Sequence, residues 1–530
     1  GTGLGPPVTC GLRGASAGGT EGGASPPPGA APPGHVPGSS AALPAEGAAA
    51  PSAAGDLIAA ISTAPGSGAL AVVRLSGQGA LAALRGVFRG RDPASAPGRL
   101  LLGSVVSPSS GRLLDRAMTA WFPGPGSFTG EDSAEIQCHG GGAVPRLILE
   151  ALMETGARLA RPGEFTERAF LNGRLSLDQA EAVAEIVAAE SEAEAAIAAR
   201  ALAGALARRV EPLSRALLSV QAALAGALDF EEDWTGMDDA RLAADLCPVE
   251  RGLSELLELR RGGKIFRDGA KAVLAGPPNS GKSSLFNALL GSRRALVSKV
   301  AGTTRDYLTA SVSWGQVKVE LVDTAGLRGE SGDELEAMGM DLALEQMAQA
   351  DLVLWLRDPT LPDGGPAPGA ACGGRLPSPD PEAAGAGTRP APGLPPLSAG
   401  GAGAPRPPAV LEVWNKLDLD PASPLPPPGA LRISAATGEG LPELRRAALA
   451  LLGAEGARVP EIVPNLRQEK ALEGALGFIR KAMASAEAGE VPEITAILLK
   501  EARDSLDLVT GRLMTEDLLA EVFSRFCLGK

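Results

Sequence analysis

AKAVLAGPPNSGKSSLFNALLG, residues 270–291, decides how this chain reads. A short apolar strand, AKAVLAG, runs straight into Gly276–Ser283, and an amphipathic helix follows at once. The loop fits G-x-x-x-x-G-K-[ST] in the strand-then-helix setting that gives the pattern meaning. Its backbone N–H groups and the N-terminus of the helix suit a phosphate chain. Gly276, Asn279, Ser280, Gly281, Lys282, Ser283 and Ser284 are therefore candidate phosphate contacts. The Lys282 amine reaches β/γ oxygens, and the Ser283 hydroxyl ligates Mg²⁺.

Three further stretches stand in the order such a domain needs. DTAG at 323–326 follows an apolar strand, with Asp323 behind the metal and Thr324, Ala325 and Gly326 at the γ-phosphate. NKLD at 415–418 follows another strand and supplies Asn415, Lys416 and Asp418. The Asp418 carboxylate can accept from both N1–H and the 2-amino group of guanine, a pair that adenine lacks. SAA at 434–436 (Ser434, Ala435, Ala436) ends the last strand as a loop behind the base. Taken singly, each is an ordinary turn. In sequence they imply GTP hydrolysis, with Lys282 and Asp323 as catalytic candidates. Leu327 follows DTAG where Ras-like enzymes carry a glutamine, so another group must orient the water. Thr304, in SKVAGTTRD, is a second Mg²⁺ candidate. Asn279 reads equally as a plain loop residue or as a ligand for a monovalent cation against the phosphates.

The chain has 530 residues, enough for several domains, and a net charge of −13, which argues against coating nucleic acid through its overall field. Aromatics are 3% of residues, so the cores must be aliphatic. Five scattered cysteines and only two histidines, His35 and His139, give neither a disulfide framework nor a zinc site. No apolar run approaches the length of a membrane helix, so no membrane association is expected.

Residues 1–54 are Gly, Ala, Pro and Ser with a single arginine, a composition that predicts disorder. They read as an organelle transit peptide, for chloroplast or mitochondrion, or as a low-complexity leader. Residues 55–173 alternate short apolar runs with Gly/Pro turns and imply an α+β domain. Residues 174–262 are helical, with Leu213, Leu217, Val220, Leu224 and Leu228 on one face. Residues 263–456 are α/β, interrupted at 359–408 by a Pro/Gly-rich stretch without apolar period. Residues 457–530 are helical again, with stripes Leu472/Leu476/Ile479/Met483 and Leu519/Val522/Phe523/Phe526. This order suggests one helical domain with the α/β domain inserted, against a separate C-terminal bundle. The basic run RRGGKIFRDGAK (260–271) reads as a nucleic-acid contact or as a solvated turn, and His139 as a structural loop residue.

Asn279, GTTRD, DTAGLR, the flanking helices and the terminal FCLGK together resemble the MnmE (TrmE) family of tRNA-modifying GTPases. DLIAAISTAPGSGALAVVRLSG, FPGPGSFTGEDSAEIQCHGG and ARPGEFTERAFLNGRLSLDQAEA carry the likeness through the front of the chain. The resemblance implies an N-terminal α+β domain that dimerises and binds folate, a discontinuous all-α domain, and an inserted Ras-like P-loop α/β domain. It implies a homodimer acting on tRNA with an MnmG-like, FAD-dependent partner. A tetrahydrofolate derivative (5-formyl or methylene) would supply one carbon for an aminomethyl-type group on C5 of the wobble uridine. K⁺ would be held by Asn279, Ser298, Val300 and Thr303, Mg²⁺ by Ser283 and Thr304. The family's catalytic glutamate matches Glu336, with Glu334 as the alternative, because the spacing after DTAGLR is one residue longer. Folate contacts fall on Arg74, Glu135, Arg174 and Lys530.

The ending SRFCLGK fits a lipidation box poorly, since Lys530 is an atypical last residue. The resemblance makes Cys527 a catalytic candidate, as nucleophile or as positioning group. The family usually places a helix between DLVLWLRD and NKLD, where this chain has its Pro/Gly-rich stretch; GTP binding should survive at some cost in domain stability. A different reading of the same motifs is a regulatory GTPase of ribosome or RNP assembly, in which the folate residues would be idle.

Overall fold

A computed structural model describes residues 56–229, 239–291, 308–324, 343–359, 407–419, 430–524, 526, 527 and 529. The leader, Ser298, Val300, Thr303, Thr304, Ala325, Gly326, Glu334, Glu336, Lys530 and nearly all of the 359–408 stretch lie outside these residues.

The first domain is built on a seven-stranded sheet. Its strands are β1 (Ile58–Ile61), β2 (Leu70–Ser76), β3 (Phe88–Gly90), β4 (Leu101–Val106), β5 (Leu113–Phe122), β6 (Ser133–His139) and β7 (Arg158–Leu159). They lie in the order β3-β4-β5-β6-β2-β1-β7, antiparallel except for β1 with β7. The alternation in LAVVRLS sorts the faces. Ala71, Val73 and Leu75 are buried in the same core as helices Ala80–Val87 and Val144–Glu154. Arg74 therefore lies on the opposite face, directly across from Glu135 of β6. His139 is the last residue of β6 and not a loop residue; its ring pairs with Asp115 at 2.8 Å.

The helices Leu177–Ala188, Glu192–Leu202, Ala205–Asp229 and Asp239–Arg267 follow, and Leu466–Glu487, Pro492–Thr510 and Glu516–Ser524 close the chain. Capping boxes at Ser176/Gln179, Ser191/Glu194 and Asn465/Gln468 start three of them. Leu217, Val220 and Leu224 share one core with Leu246, Leu253, Leu472, Leu476, Ile479 and Leu506. Segments more than 200 residues apart thus bury the same apolar stripe, and the domain is discontinuous; the separate C-terminal bundle is excluded.

Between them lies a six-stranded sheet of β8 (Ala270–Ala275), β9 (Leu308–Trp314), β10 (Val317–Asp323), β11 (Leu352–Arg357), β12 (Ala409–Trp414) and β13 (Leu431–Arg432). The order is β13-β12-β11-β8-β10-β9, parallel apart from edge strand β9. β11 and β12 are buried almost throughout, which is why LVLWLR and AVLEVW are continuous apolar runs rather than alternating ones. Strand order reverses beside β8, so its C-terminal end opens at the switch point where ligands of doubly wound sheets bind.

The run 260–271 is not a solvated turn: Arg260 and Arg267 are engaged in ion pairs, while Arg261 and Lys264 stay exposed. It forms the end of helix Asp239–Arg267 and the entry into β8. Arg260 is 3% exposed and pairs with Asp268 at 2.7 Å and Glu469 at 2.9 Å. Arg267 pairs with Glu185 and donates to the Val463 carbonyl. Both chain crossings between helical and α/β domains are clamped here.

Candidate functional site

The nucleotide-contact residues meet at the C-terminal end of β8. Gly281 starts helix Lys282–Leu290 in the left-handed region, at φ 90°. A Cβ at Gly281 would sit 2.2 Å from Asn415 Nδ2, so only glycine lets the NKLD segment approach the loop this closely. Asn415 is 2% exposed. Its Nδ2 donates to the Ser280 carbonyl at 3.0 Å, and its Oδ1 accepts from Ala435 N–H at 3.0 Å. One side chain thus joins the phosphate loop to the loop behind the base.

Ser283 Oγ donates to Asp323 Oδ2 at 2.7 Å, which brings the candidate metal ligand and the candidate carboxylate behind it together. Thr324 Oγ1 donates to the Leu274 carbonyl at 2.8 Å. Lys282 Nζ donates to the loop's own carbonyls, Gly276 at 3.1 Å and Pro277 at 2.8 Å. A phosphate would replace these weak acceptors with charged ones. Ser434 Oγ donates to Asp418 Oδ1 at 2.6 Å and holds that carboxylate at the rim of the loop. Lys416 pairs with the buried Asp358 at 2.6 Å. Ser284 and Ala436 are exposed beside the same loops. The site fits Mg²⁺ through Ser283 and Asp323; of the K⁺ set, only Asn279 falls among the described residues, in the left-handed region at φ 61°.

A second cluster lies on the open face of the first sheet. Arg74 donates to Glu135 Oε1 through Nε at 3.1 Å and Nη2 at 2.9 Å. Its guanidinium lies 5.8 Å from the Phe165 ring centre and 5.9 Å from that of Phe128. Phe165 is fully buried and backs the guanidinium from the core, whereas Phe128 is exposed beside it; a partly exposed cation and carboxylate next to an open ring suit a flat heterocycle with donors and acceptors on its edge. The sequence reading missed both phenylalanines; PGEFTER and GSFTGE carried the signal.

Phe165 is set by an ion network that sequence reading also missed. Glu164, buried one position before it, accepts from Arg158 at 2.5 and 2.9 Å, from Arg168 at 3.0 Å and from the Arg161 amide at 2.8 Å. Burial opposes its ionisation, yet these donors outweigh it and lower its pKa to about 2. Asp56 bridges Arg158 and Arg168, and Glu131 joins Arg168 at 3.0 Å.

The C-terminal tail reaches this domain. Phe523 and Phe526 pack with Leu177 and Ala180. Gly163 N–H meets the Cys527 carbonyl at 3.5 Å, and Ser62 Oγ donates to the Gly529 carbonyl at 3.0 Å. Gly529 has φ 84°, and a Cβ there would lie 2.6 Å from the Ile61 carbonyl. Cys527 is a free, exposed thiol. Cys138, by contrast, is buried on the helix side of the sheet; burial and Asp115 push its thiol up to about 11, so it stays protonated. Arg174 is not brought to the Arg74–Glu135 pair by any contact among the described residues; it lines a concavity against the helical domain.

Two family models cover nearly all of the described chain: the GTP-binding protein TrmE N-terminus over residues 57–174 and the MnmE helical domain over 177–527. The tRNA modification GTPase MnmE of Thermus thermophilus is 40% identical over 477 residues, spanning 90% of this chain and 99% of its own. Its counterpart in Methylobacterium sp. is 40% identical, over 83% of this chain and 92% of its own. That of Acidovorax sp. is 38% identical, over 90% and 99%. With such identity over nearly the full length of the relatives, and with both family models matched in order, this chain belongs to the MnmE (TrmE) family.

Proposed function

We propose that this chain hydrolyses GTP to drive modification of the wobble uridine of tRNA. The observation that carries the reading is the assembled guanine-nucleotide set: Lys282, Ser283 with Asp323, Asn415 across to Ser280, and Ser434 with Asp418. It lies in a chain 40% identical, over 99% of the relative's length, to a protein named tRNA modification GTPase MnmE.

Ser283 and Thr304 would hold Mg²⁺, with Asp323 behind it, and the metal would neutralise charge on the β/γ oxygens. Asn279, Ser298, Val300 and Thr303 would hold K⁺, which supplies positive charge where Ras-like systems use an arginine. Glu336 would orient the water in the place left by Leu327. Closing and reopening of paired GTPase domains would gate the reaction rather than perform its carbon chemistry.

Arg74 and Glu135 would grip the pterin edge of a tetrahydrofolate beside the exposed Phe128, with Cys527 and Lys530 delivered by the docked tail. A flavin-dependent partner would carry FAD, and the product would be an aminomethyl-type group on C5 of the uridine. The composition of residues 1–54 supports an organelle address, which fractionation of cells expressing the tagged full chain tests directly.

Reconstitution tests the reading. Chain, flavin-dependent partner, tRNA, GTP, a tetrahydrofolate one-carbon donor and an amine should yield C5-aminomethylated uridine in KCl, with GTP turnover falling in NaCl. Full GTP turnover without any modified uridine would overturn it.

A further inference from the structure

A concavity of about 700 Å³ opens where the first domain meets the helical domain. Arg174, Arg208, Arg215 and Arg512 line it, all four exposed, and Glu211 is the carboxylate among its described lining residues. Arg208 and Arg215 stand two turns apart on one face of helix Ala205–Asp229, roughly 10 Å along its axis. Glu211 lies between them on that face, 3.7 Å from Arg215, and pairs with Arg512 in the turn after helix Pro492–Thr510. The excess of positive charge is local, since the whole chain carries −13. Phe170 and Leu175 give the hollow an apolar side. The Phe170 ring packs 6.5 Å from that of Phe523, on the helix Glu516–Ser524 that leads to Cys527.

We propose that this hollow seats a stretch of the phosphodiester backbone of the tRNA substrate. The inference rests on the tRNA reading above and adds where on this chain the RNA lies. Exposure decides between a polyanion and a small acid. An exposed arginine gains little from an isolated carboxylate, because water screens the pair. A small ligand also needs enclosure, which an open rim of exposed arginines does not give. A phosphodiester chain carries condensed counterions, and each phosphate neutralised by an arginine releases them, so the same open arginines bind it well. The two-turn spacing presents Arg208 and Arg215 to separate phosphates of one strand. Phe170 and Leu175 offer the apolar side to a ribose or an unstacked base between those phosphates. RNA phosphates compete with Glu211 for Arg512 and Arg215. A strand seated here lies one packed side chain from the segment that carries Cys527.

Fluorescence anisotropy of labelled, unmodified tRNA with the full chain, over a KCl series, tests this. Arg208→Gln/Arg215→Gln should weaken tRNA about tenfold at moderate salt and flatten the slope of log K against log[KCl] by about 1.5–2, with the thermal midpoint kept. Glu211→Gln should tighten tRNA by about threefold, because it removes a like charge and frees two arginines. Arg209→Gln makes the same charge change on the same helix outside the hollow, where Arg209 pairs with Glu255, and should leave tRNA affinity as in the parent. Arg174, which the resemblance gives to folate, is left intact so that loss of cofactor cannot imitate loss of RNA. Weakening in Arg209→Gln equal to that per arginine in the double variant means an effect of overall charge and overturns the site. An unchanged salt slope in the double variant overturns it as well and leaves the tRNA reading intact. A double variant that loses tetrahydrofolate affinity but keeps tRNA affinity assigns the hollow to a small acid and overturns the proposal. A parent chain that binds no tRNA, alone or with its flavin-dependent partner, overturns both the site and the tRNA reading.

Discussion

The Nδ2 of Asn415 lies 3.0 Å from the carbonyl oxygen of Ser280, 135 residues earlier in the chain, and the same amide accepts from Ala435. Removing it leaves a buried carbonyl and a backbone N–H without partners, at about 1–3 kcal/mol apiece. Asn415→Ala should therefore weaken GTP by roughly tenfold to a hundredfold. Fluorescent-nucleotide titration reads this, and an unchanged affinity would sever the link between the two loops.

Asp418 is the specificity element. Its carboxylate accepts two donors from guanine, and Ser434 holds it by a 2.6 Å bond. Asp418→Asn puts a donor where guanine presents its 2-amino group, and where xanthine presents a carbonyl. GTP should weaken by about 2–3 kcal/mol and XTP should gain. Loss of both nucleotides together would indicate collapse of the loop instead.

Glu164 makes a pH-dependent contribution. Its folded pKa, about 2, lies below the ordinary value of 4.5, so the stabilisation is complete above 4.5 and fades as pH falls toward 2. That gap is worth on the order of 3 kcal/mol. Glu164→Gln should lower the unfolding midpoint at pH 7, with the difference from the parent narrowing between pH 4.5 and 2. A pH-independent difference would mean that the Arg158 and Arg168 pairs matter only as packing.

Arg260 is buried between Asp268 and Glu469 at the crossing from helix to β8. Arg260→Met leaves two carboxylates unpaired and should cost about 2–4 kcal/mol, with Asp268 partly relieved by solvent. Calorimetry should show the α/β domain melting earlier and apart from the helices. A single unshifted transition would deny the clamp.

Much of this is legible in sequence because backbone geometry enforces it. Gly276–Ser283 and NKLD must occur as they do for loops to approach phosphate and base, and LAVVRLS announces its two faces by alternation. Long-range pairs are not legible. Nothing local in RRGGKIFRDGAK reveals that Glu469 and Glu185 wait to neutralise Arg260 and Arg267, so the run reads as free. His139 reads as a loop residue because Asp115, its partner, comes from another strand. Phe165 reads as ordinary core until Arg74 is found beside it.

The most direct measurement is nucleoside mass spectrometry of tRNA from cells lacking this chain, complemented with the parent or with Lys282→Ala. Loss of a C5-aminomethyl uridine in the null, restored by the parent and not by Lys282→Ala, is the expected result. Wobble uridines unchanged in the null would contradict a role in modification and leave a GTPase that acts elsewhere.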